Sequence, residues 1–431
     1  MMERLYFDSL IQWKNKKNRK PLIFKGARQV GKTYLLKEFG THHFEKYHYF
    51  NFEKDPSLRA IFEKSLDPEK IIKALSIFKN INIDTKKDLI IFDEIQTCPL
   101  ALTSLKYFCE DLPHSYICSA GSLLGLYSEE PSFPVGKVEF LNLYPMNFKE
   151  FLMALSQQHL LDEYMSMPSS YLHELLWQNF KLYLFIGGLP EAVKSYKDTK
   201  DLSLISQIQE NLINGYISDM AKHCGKENAM FLQRLWQTSA EKIGQNCSEK
   251  FKFKGVFPGK KTYKDFAGPI DWLTKAGLIH IIPIVDQIQY PLSLAKKENA
   301  FKIFNFDIGI LNHLKGISAH ELNNYDFSHK GFIVENYFYQ EIQTKNFNFH
   351  QQKFYCFQSG ESEIEFIYEN EGQLTAIEIK AGKNTKAKSL KLFLEKHPKA
   401  KGIRFSQKLA ATNIDQSIKF NRIWDRPLFL I

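Results

Sequence analysis

The chain has 431 residues, 44% hydrophobic and 24% charged, which excludes a disordered or fibrous protein and suits about two to four folded domains. No apolar stretch approaches a membrane span and the first residues lack a signal-peptide core, so a cytoplasmic protein with no membrane partner is expected. The net charge of +9 is mostly lysine, and it suits either an acidic partner such as nucleic acid or a merely soluble basic surface. The cysteines at 98, 109, 118, 224, 247 and 356 contain no C-x-x-C pair, which excludes a zinc-ribbon or disulfide framework and leaves reduced, mostly structural thiols.

An amphipathic opening helix leads into lysine-rich Lys14–Lys20. The apolar run Pro21–Phe24 reads as a strand and Tyr34–Phe39 as a helix. Between them Gly26-Ala27-Arg28-Gln29-Val30-Gly31-Lys32-Thr33 match G-x-x-x-x-G-K-[ST] in full, followed by Tyr34. Strand, glycine loop and helix in this order form a phosphate-binding loop. Gly26 and Gly31 let the backbone turn its N–H groups toward one anion, and the following helix adds its positive dipole end. Lys32 is expected to reach the β- and γ-phosphates, and Thr33 to hold Mg²⁺.

Tyr47–Phe52 reads as the next strand. Leu89–Phe92 is a buried-type strand ending in Asp93 and Glu94; Asp93 is placed to bind the same Mg²⁺ through water, and Glu94 to orient or deprotonate an attacking water. Tyr116–Cys118 is another strand, after which Ser119 is expected to sense the γ-phosphate, or else to begin an ordinary turn. Val138–Leu143 is the last strand of a mostly parallel sheet, and Leu143–Phe151 enters a helix.

The pattern is then helical, broken at Ile186–Glu191, where two glycines and Pro190 suggest a hinge or lid. Further on, helical Phe231–Gly244, strand-like Phe251–Lys254, a helix capped by Thr262, and a hairpin of Leu278–Ile282 with Gln289–Leu292 together read as a winged helix. Such modules either place a helix against DNA or bind proteins. In the last segment Glu335 lies on a helix, Glu365 on a strand, and Glu378 and Lys380 share one face of the neighbouring strand by the period of two. Acid and acid-x-lysine in this spacing form the core of a restriction-endonuclease-like site, with the carboxylates holding Mg²⁺ and the lysine positioning water. The same alternation also describes the solvent face of an amphipathic hairpin.

Taken together, the phosphate loop, Phe92–Gln96, Ser119–Ser122, Leu143–Phe151, Gly187–Glu191, Gly331–Asn336 and Glu378–Lys380 resemble a large family of predicted bacterial and archaeal AAA-type ATPases. Its members join an N-terminal ATPase to a C-terminal domain of unknown function with a restriction-endonuclease-like fold. The resemblance covers nearly the whole chain, and it implies ATP rather than GTP, hydrolysis, and a winged-helix-like middle. One departure is Glu365, where the family usually has aspartate; the carboxylate reaches one methylene further.

The expected fold is α/β. A P-loop NTPase parallel sheet with helices on both faces spans 1–160, a helical lid or linker 161–225, a winged-helix-like domain 226–300, and a restriction-endonuclease-like α/β domain 301–431. The expected function is that of an Mg²⁺-dependent ATP-binding protein, an ATPase, whose nucleotide state controls a C-terminal module acting on nucleic acid. The alternative is a nucleotide-dependent switch that binds a protein partner, its nuclease-like domain inactive. An oligomer with an arginine finger from a neighbouring subunit would draw it from Arg4, Arg19, Arg28, Arg59 or Arg234.

Overall fold

The computed structural model describes residues 3–121, 134–165, 170–242, 250–324, 331–345, 353–360, 362–380, 388–406 and 418–422; Ser122 of the third-strand motif lies outside them. The chain divides into two compact units, one built on Arg4–Tyr144 and one on Pro145–Asn346 and Gln351–Ile431.

The first unit is a five-stranded sheet of β1 (Leu22–Lys25), β2 (Tyr47–Asn51), β3 (Leu89–Asp93), β4 (Tyr116–Ala120) and β5 (Glu139–Asn142), in the order β2-β3-β4-β1-β5. Every pairing is parallel, as expected. β3 is buried at all of its positions, which is why its sequence is apolar without alternation: a central parallel strand is covered on both faces. Phe50, Phe52, Phe62, Phe92 and Phe108 meet beside it at ring-centroid distances of 5.4–6.2 Å. The helix Lys32–His43 leaves β1 through Gly31 and buries Leu35, Leu36 and Phe39. Asp67 caps the helix Pro68–Lys79 by accepting from the Glu69 and Lys70 N–H groups, and Pro68 supplies a pre-set φ at its first position.

The second unit combines helices with a seven-stranded mixed sheet. Its strands are β6 (Ile279–Val285), β7 (Phe301–Asn305), β8 (Tyr355–Ser359), β9 (Ser362–Asn370), β10 (Gln373–Lys380), β11 (Lys401–Ser406) and β12 (Ile418–Arg422), in the order β12-β11-β10-β9-β8-β6-β7. The helix Gly331–Lys345 covers one face, where Phe338 meets Phe366 and Phe405 at 5.5 and 4.8 Å. Lys388–Lys396 covers the other face through Leu390 and Phe393.

Three local expectations are corrected. β6 pairs antiparallel with β7, Ile279 opposite Asn305; Leu292–Ala295 is a single 3-10 turn. β6 also pairs in parallel with β8, so this hairpin is an edge of the large sheet. Phe251–Lys254 forms no strand; Phe251 donates one backbone bond to Phe301 and its ring stacks on that residue at 6.5 Å. The expected hinge at Gly187-Gly188 is a buried, pinned turn. The Gly188 N–H donates to Asp307 Oδ2 at 2.7 Å and its carbonyl accepts from Met146 at 2.7 Å, while Tyr183 donates to the Met146 carbonyl at 2.7 Å. A Cβ on Gly188 would lie 2.1 Å from the Met146 oxygen. The backbone approach that requires glycine here also removes the freedom a hinge needs.

Candidate nucleotide site

The phosphate loop begins where β1 ends. Gly26 has φ +144 and its missing Cβ would stand 2.1 Å from the Leu143 carbonyl oxygen, so only glycine lets the loop pass. Gln29 and Gly31 follow at φ 64 and 94, left-handed turns that curl the backbone around one point. Val30 is fully buried, Ala27 nearly so, and Tyr34 is exposed beyond the loop. Arg4 braces the curve from outside, donating to the Val30 carbonyl at 2.9 Å and the Tyr144 carbonyl at 2.8 Å.

Inside the curve Lys32 donates to the Gly26 and Ala27 carbonyls at 2.9 and 2.7 Å. Burial lowers its pKa to about 8, against the pull of Glu94 and Asp93, with Arg28 adding to the lowering. A γ-phosphate would restore the positive charge that burial disfavours. Thr33 Oγ1 donates to Asp93 Oδ2 at 2.8 Å, and Tyr49 from β2 donates to the same oxygen at 2.6 Å, its own oxygen accepting from Asn51 at 3.0 Å. A hydroxyl beside a carboxylate next to a phosphate cradle is a donor set that fits a hard cation such as Mg²⁺. Glu94 follows with φ 50. Burial raises its carboxyl, while a hydrogen bond from Gln96 pulls it down; that bond, Nε2 to Oε2, is 2.5 Å.

Ser119 is placed differently from expectation. It pairs in register with Ile23 and Phe92, both core residues, so strand alternation turns its buried hydroxyl to the face opposite Asp93. Two candidate arginine fingers are also spoken for within the unit: Arg4 by the loop, and Arg19, which donates to the Ser115 and His114 carbonyls and lies 3.7 Å over the Tyr116 ring.

In the second unit the four expected residues gather with cations between them. Glu365 accepts from the Ile379 N–H and from Lys380, at 3.3 and 3.2 Å, and Lys380 stands 3.6 Å from Glu378. Arg404, in register with Glu378 on β11 and fully buried, brings its Nε to 3.7 Å from the other Glu378 oxygen. Lys302 from β7 lies 3.2 Å from Glu335 and 3.5 Å from Glu363. Burial raises the Glu335 carboxyl to about 7 despite Lys302. It raises Glu363 and Glu378 as well. For Lys302 burial acts downward but is outweighed by Glu335 and its neighbours, so the ammonium stays charged. Among the described residues no three His, Cys, Asp or Glu side chains stand together as metal ligands. As arranged, the carboxylates are answered by lysine and arginine, and this donor set does not fit a resident metal. Lys302, Glu363 and Arg404 were not visible as members of the cluster in the sequence; a buried-type β7, Phe301–Asn305, carrying a lysine was the one available signal.

A cavity of about 380 Å³ opens beside this cluster, lined by Lys250, Lys252 and Lys297 with Asp286, Asn299 and Gln358. Gln358 pairs in register with Glu363. Among the described residues no helix is long and apolar enough to cross a membrane.

Residues 18–152 match the family described as an AAA domain. Residues 178–321 and 330–428 match two domains of unknown function, DUF8612 and DUF4143. Residues 18–152 are therefore similar to AAA domains, and the two matches that follow carry no assigned role. No curated protein matches. Among solved structures, Drosophila ORC bound to DNA is 12% identical with a TM-score of 0.26, covering 72% of this chain and 94% of that one. Can2 from Sulfobacillus thermosulfidooxidans in complex with cyclic tetra-adenylate is 12% identical at TM-score 0.19, covering 97% and 96%. Protein VC1899 from Vibrio cholerae is 9% identical at 0.15, covering 90% and 89%. Likenesses at these scores have no bearing on fold or function.

Proposed function

We propose that the chain is an Mg²⁺-dependent ATPase that acts on nucleic acid. The observation that carries the ATPase reading is the convergence of Lys32, Thr33, Asp93 and Glu94 at one end of the parallel sheet, with Thr33 and Asp93 already 2.8 Å apart. Lys32 and the loop N–H groups hold the β- and γ-phosphates. Thr33 and Asp93 would hold Mg²⁺, which neutralises phosphate charge when bound. Glu94 orients a water against the γ-phosphorus. The new bond is water oxygen to phosphorus, the bond to the β,γ-bridging oxygen breaks, and the water proton passes to Glu94, leaving ADP and phosphate. Support for nucleic acid is the lysine-lined cavity, where Lys250 and Lys252 offer charge to a phosphate backbone, while Lys297 is held in an ion pair with Asp286.

The test is ATP turnover by the purified chain with Mg²⁺, with and without single- and double-stranded DNA. Lys32→Ala should lose ATP binding, whereas Glu94→Gln should keep binding and lose turnover. Full turnover by Glu94→Gln would remove that residue from the mechanism.

A second reading is favoured by the cations set against Glu335, Glu365 and Glu378. In it the C-terminal domain is a charge-compensated scaffold that binds a protein in a nucleotide-dependent way and cleaves nothing. Turnover indifferent to DNA, with no cleavage of DNA in Mg²⁺ or Mn²⁺, supports it; cleavage abolished by Glu378→Ala restores the nuclease reading.

A further inference from the structure

We propose that Gln96 is the positioning residue that aims Glu94 at the attacking water. The proposal rests on the ATPase reading above and deepens it. The local backbone is built for this contact. Glu94 adopts φ 50, a left-handed conformation that a non-glycine residue holds only when its surroundings insist, and one that clusters at functional sites. The chain then tightens into the 3-10 turn Ile95–Thr97, closed by the Thr97 N–H and hydroxyl donating to the Glu94 carbonyl at 3.0 and 2.9 Å. This turn folds the side chain of Gln96 back onto the residue two before it.

The contact is short and one-sided. Gln96 is 5% exposed and its Nε2 donates to Glu94 Oε2 at 2.5 Å, while its own Oε1 is buried with no partner among the described residues. An ionised carboxylate only accepts, so the amide nitrogen must be the end that faces it. A buried amide oxygen left unpaired is costly, and the one contact that compensates is the bond to Glu94. With Oε2 held, Glu94 Oε1 remains to accept from water. This is the logic of a base whose orientation is set by a third group.

The test is steady-state ATP turnover, with fluorescent-ATP binding in parallel, for the full chain and for Gln96→Leu and Gln96→Glu. Loss of a hydrogen bond to a charged group predicts a kcat about tenfold lower in Gln96→Leu. KM for ATP should stay within about twofold, because the contact is to the base and not to the nucleotide. Gln96→Glu keeps the shape but replaces the donating amide with a carboxylate that repels Glu94, so kcat should fall here as well, again with KM within about twofold. That variant decides the matter if Gln96→Leu folds poorly. An unchanged kcat in both variants overturns the proposal. So does faster turnover, which would make the bond a brake. Wild-type protein that neither binds nor turns over ATP sinks the ATPase reading itself, a distinct result.

Discussion

Lys302→Met removes the ammonium facing Glu335 and Glu363 and leaves an apolar chain of similar length. The ammonium stands 3.2 Å from Glu335, and both side chains are 10% exposed. At an effective dielectric of about 20, an ion pair at that separation attracts by about 5 kcal/mol. Breaking a buried pair by removing one partner costs about 3–5 kcal/mol net. The cost depends on pH in a direction the structure fixes. Burial has raised Glu335 from 4.5 to about 7 with Lys302 present, and without it the carboxyl rises further. A carboxyl whose folded pKa exceeds its unfolded value takes up a proton on folding, so stability falls as pH rises between the two. In the wild-type protein this fall ends near 7; in Lys302→Met it continues above, at up to about 1.4 kcal/mol per pH unit. Thermal melts followed by circular dichroism at about pH 5.5 and about pH 8.5 read the difference. The deficit of Lys302→Met relative to wild type should be small in acid, where Glu335 is neutral in both, and large in base. Adding Glu335→Gln to Lys302→Met should recover part of the loss in base. Equal deficits at the two pH values would refute the pairing as the source of the effect.

Two substitutions test the close backbone approaches. Gly26→Ala forces a Cβ against the Leu143 oxygen, at 2.1 Å, on a backbone at φ +144. The loop must open, and ATP affinity should fall by about tenfold or more in a fluorescent-ATP titration; wild-type affinity would show that the loop does not need this curve. Gly188→Ala drives Met146 from Gly188 and strains the bonds to Met146 and Asp307, for about 3 kcal/mol. The melting temperature should drop by several degrees while ATP binding is retained. A drop in ATP affinity with an unchanged melting temperature would contradict the assignment of this turn to structure.

The candidate nucleotide site was legible because its motif is local. Eight contiguous residues, a strand before them and a helix after them specify Gly26 to Thr33, and a buried strand ending in two acids specifies Asp93 and Glu94. Parallel pairing in the first unit followed from the same alternation of strands and helices. Ser119 was misplaced because one position along a strand reverses the face, and the sequence does not state where β4 sits in register with β3.

The second unit shows where local reading stops. Glu378 and Lys380 share a strand and are visible by their spacing, and Glu335 and Glu365 were reached from them. Their partners Lys302 and Arg404 come from β7 and β11, and Tyr49 comes to Asp93 from β2; no pattern within a few residues announces such contacts. Likewise β6 was given its nearest apolar neighbour at Gln289–Leu292, whereas pairing with β7 closes a longer loop at little extra entropy and adds β6 to a larger sheet. The sequence by itself determined the loop, the strand that ends in its acids, and the likeness of the first unit to an AAA domain, because backbone geometry and side-chain period act over a few residues. Only the tertiary structure decided which cation answers each carboxylate and which face Ser119 occupies, because those depend on register and burial between segments far apart in the chain.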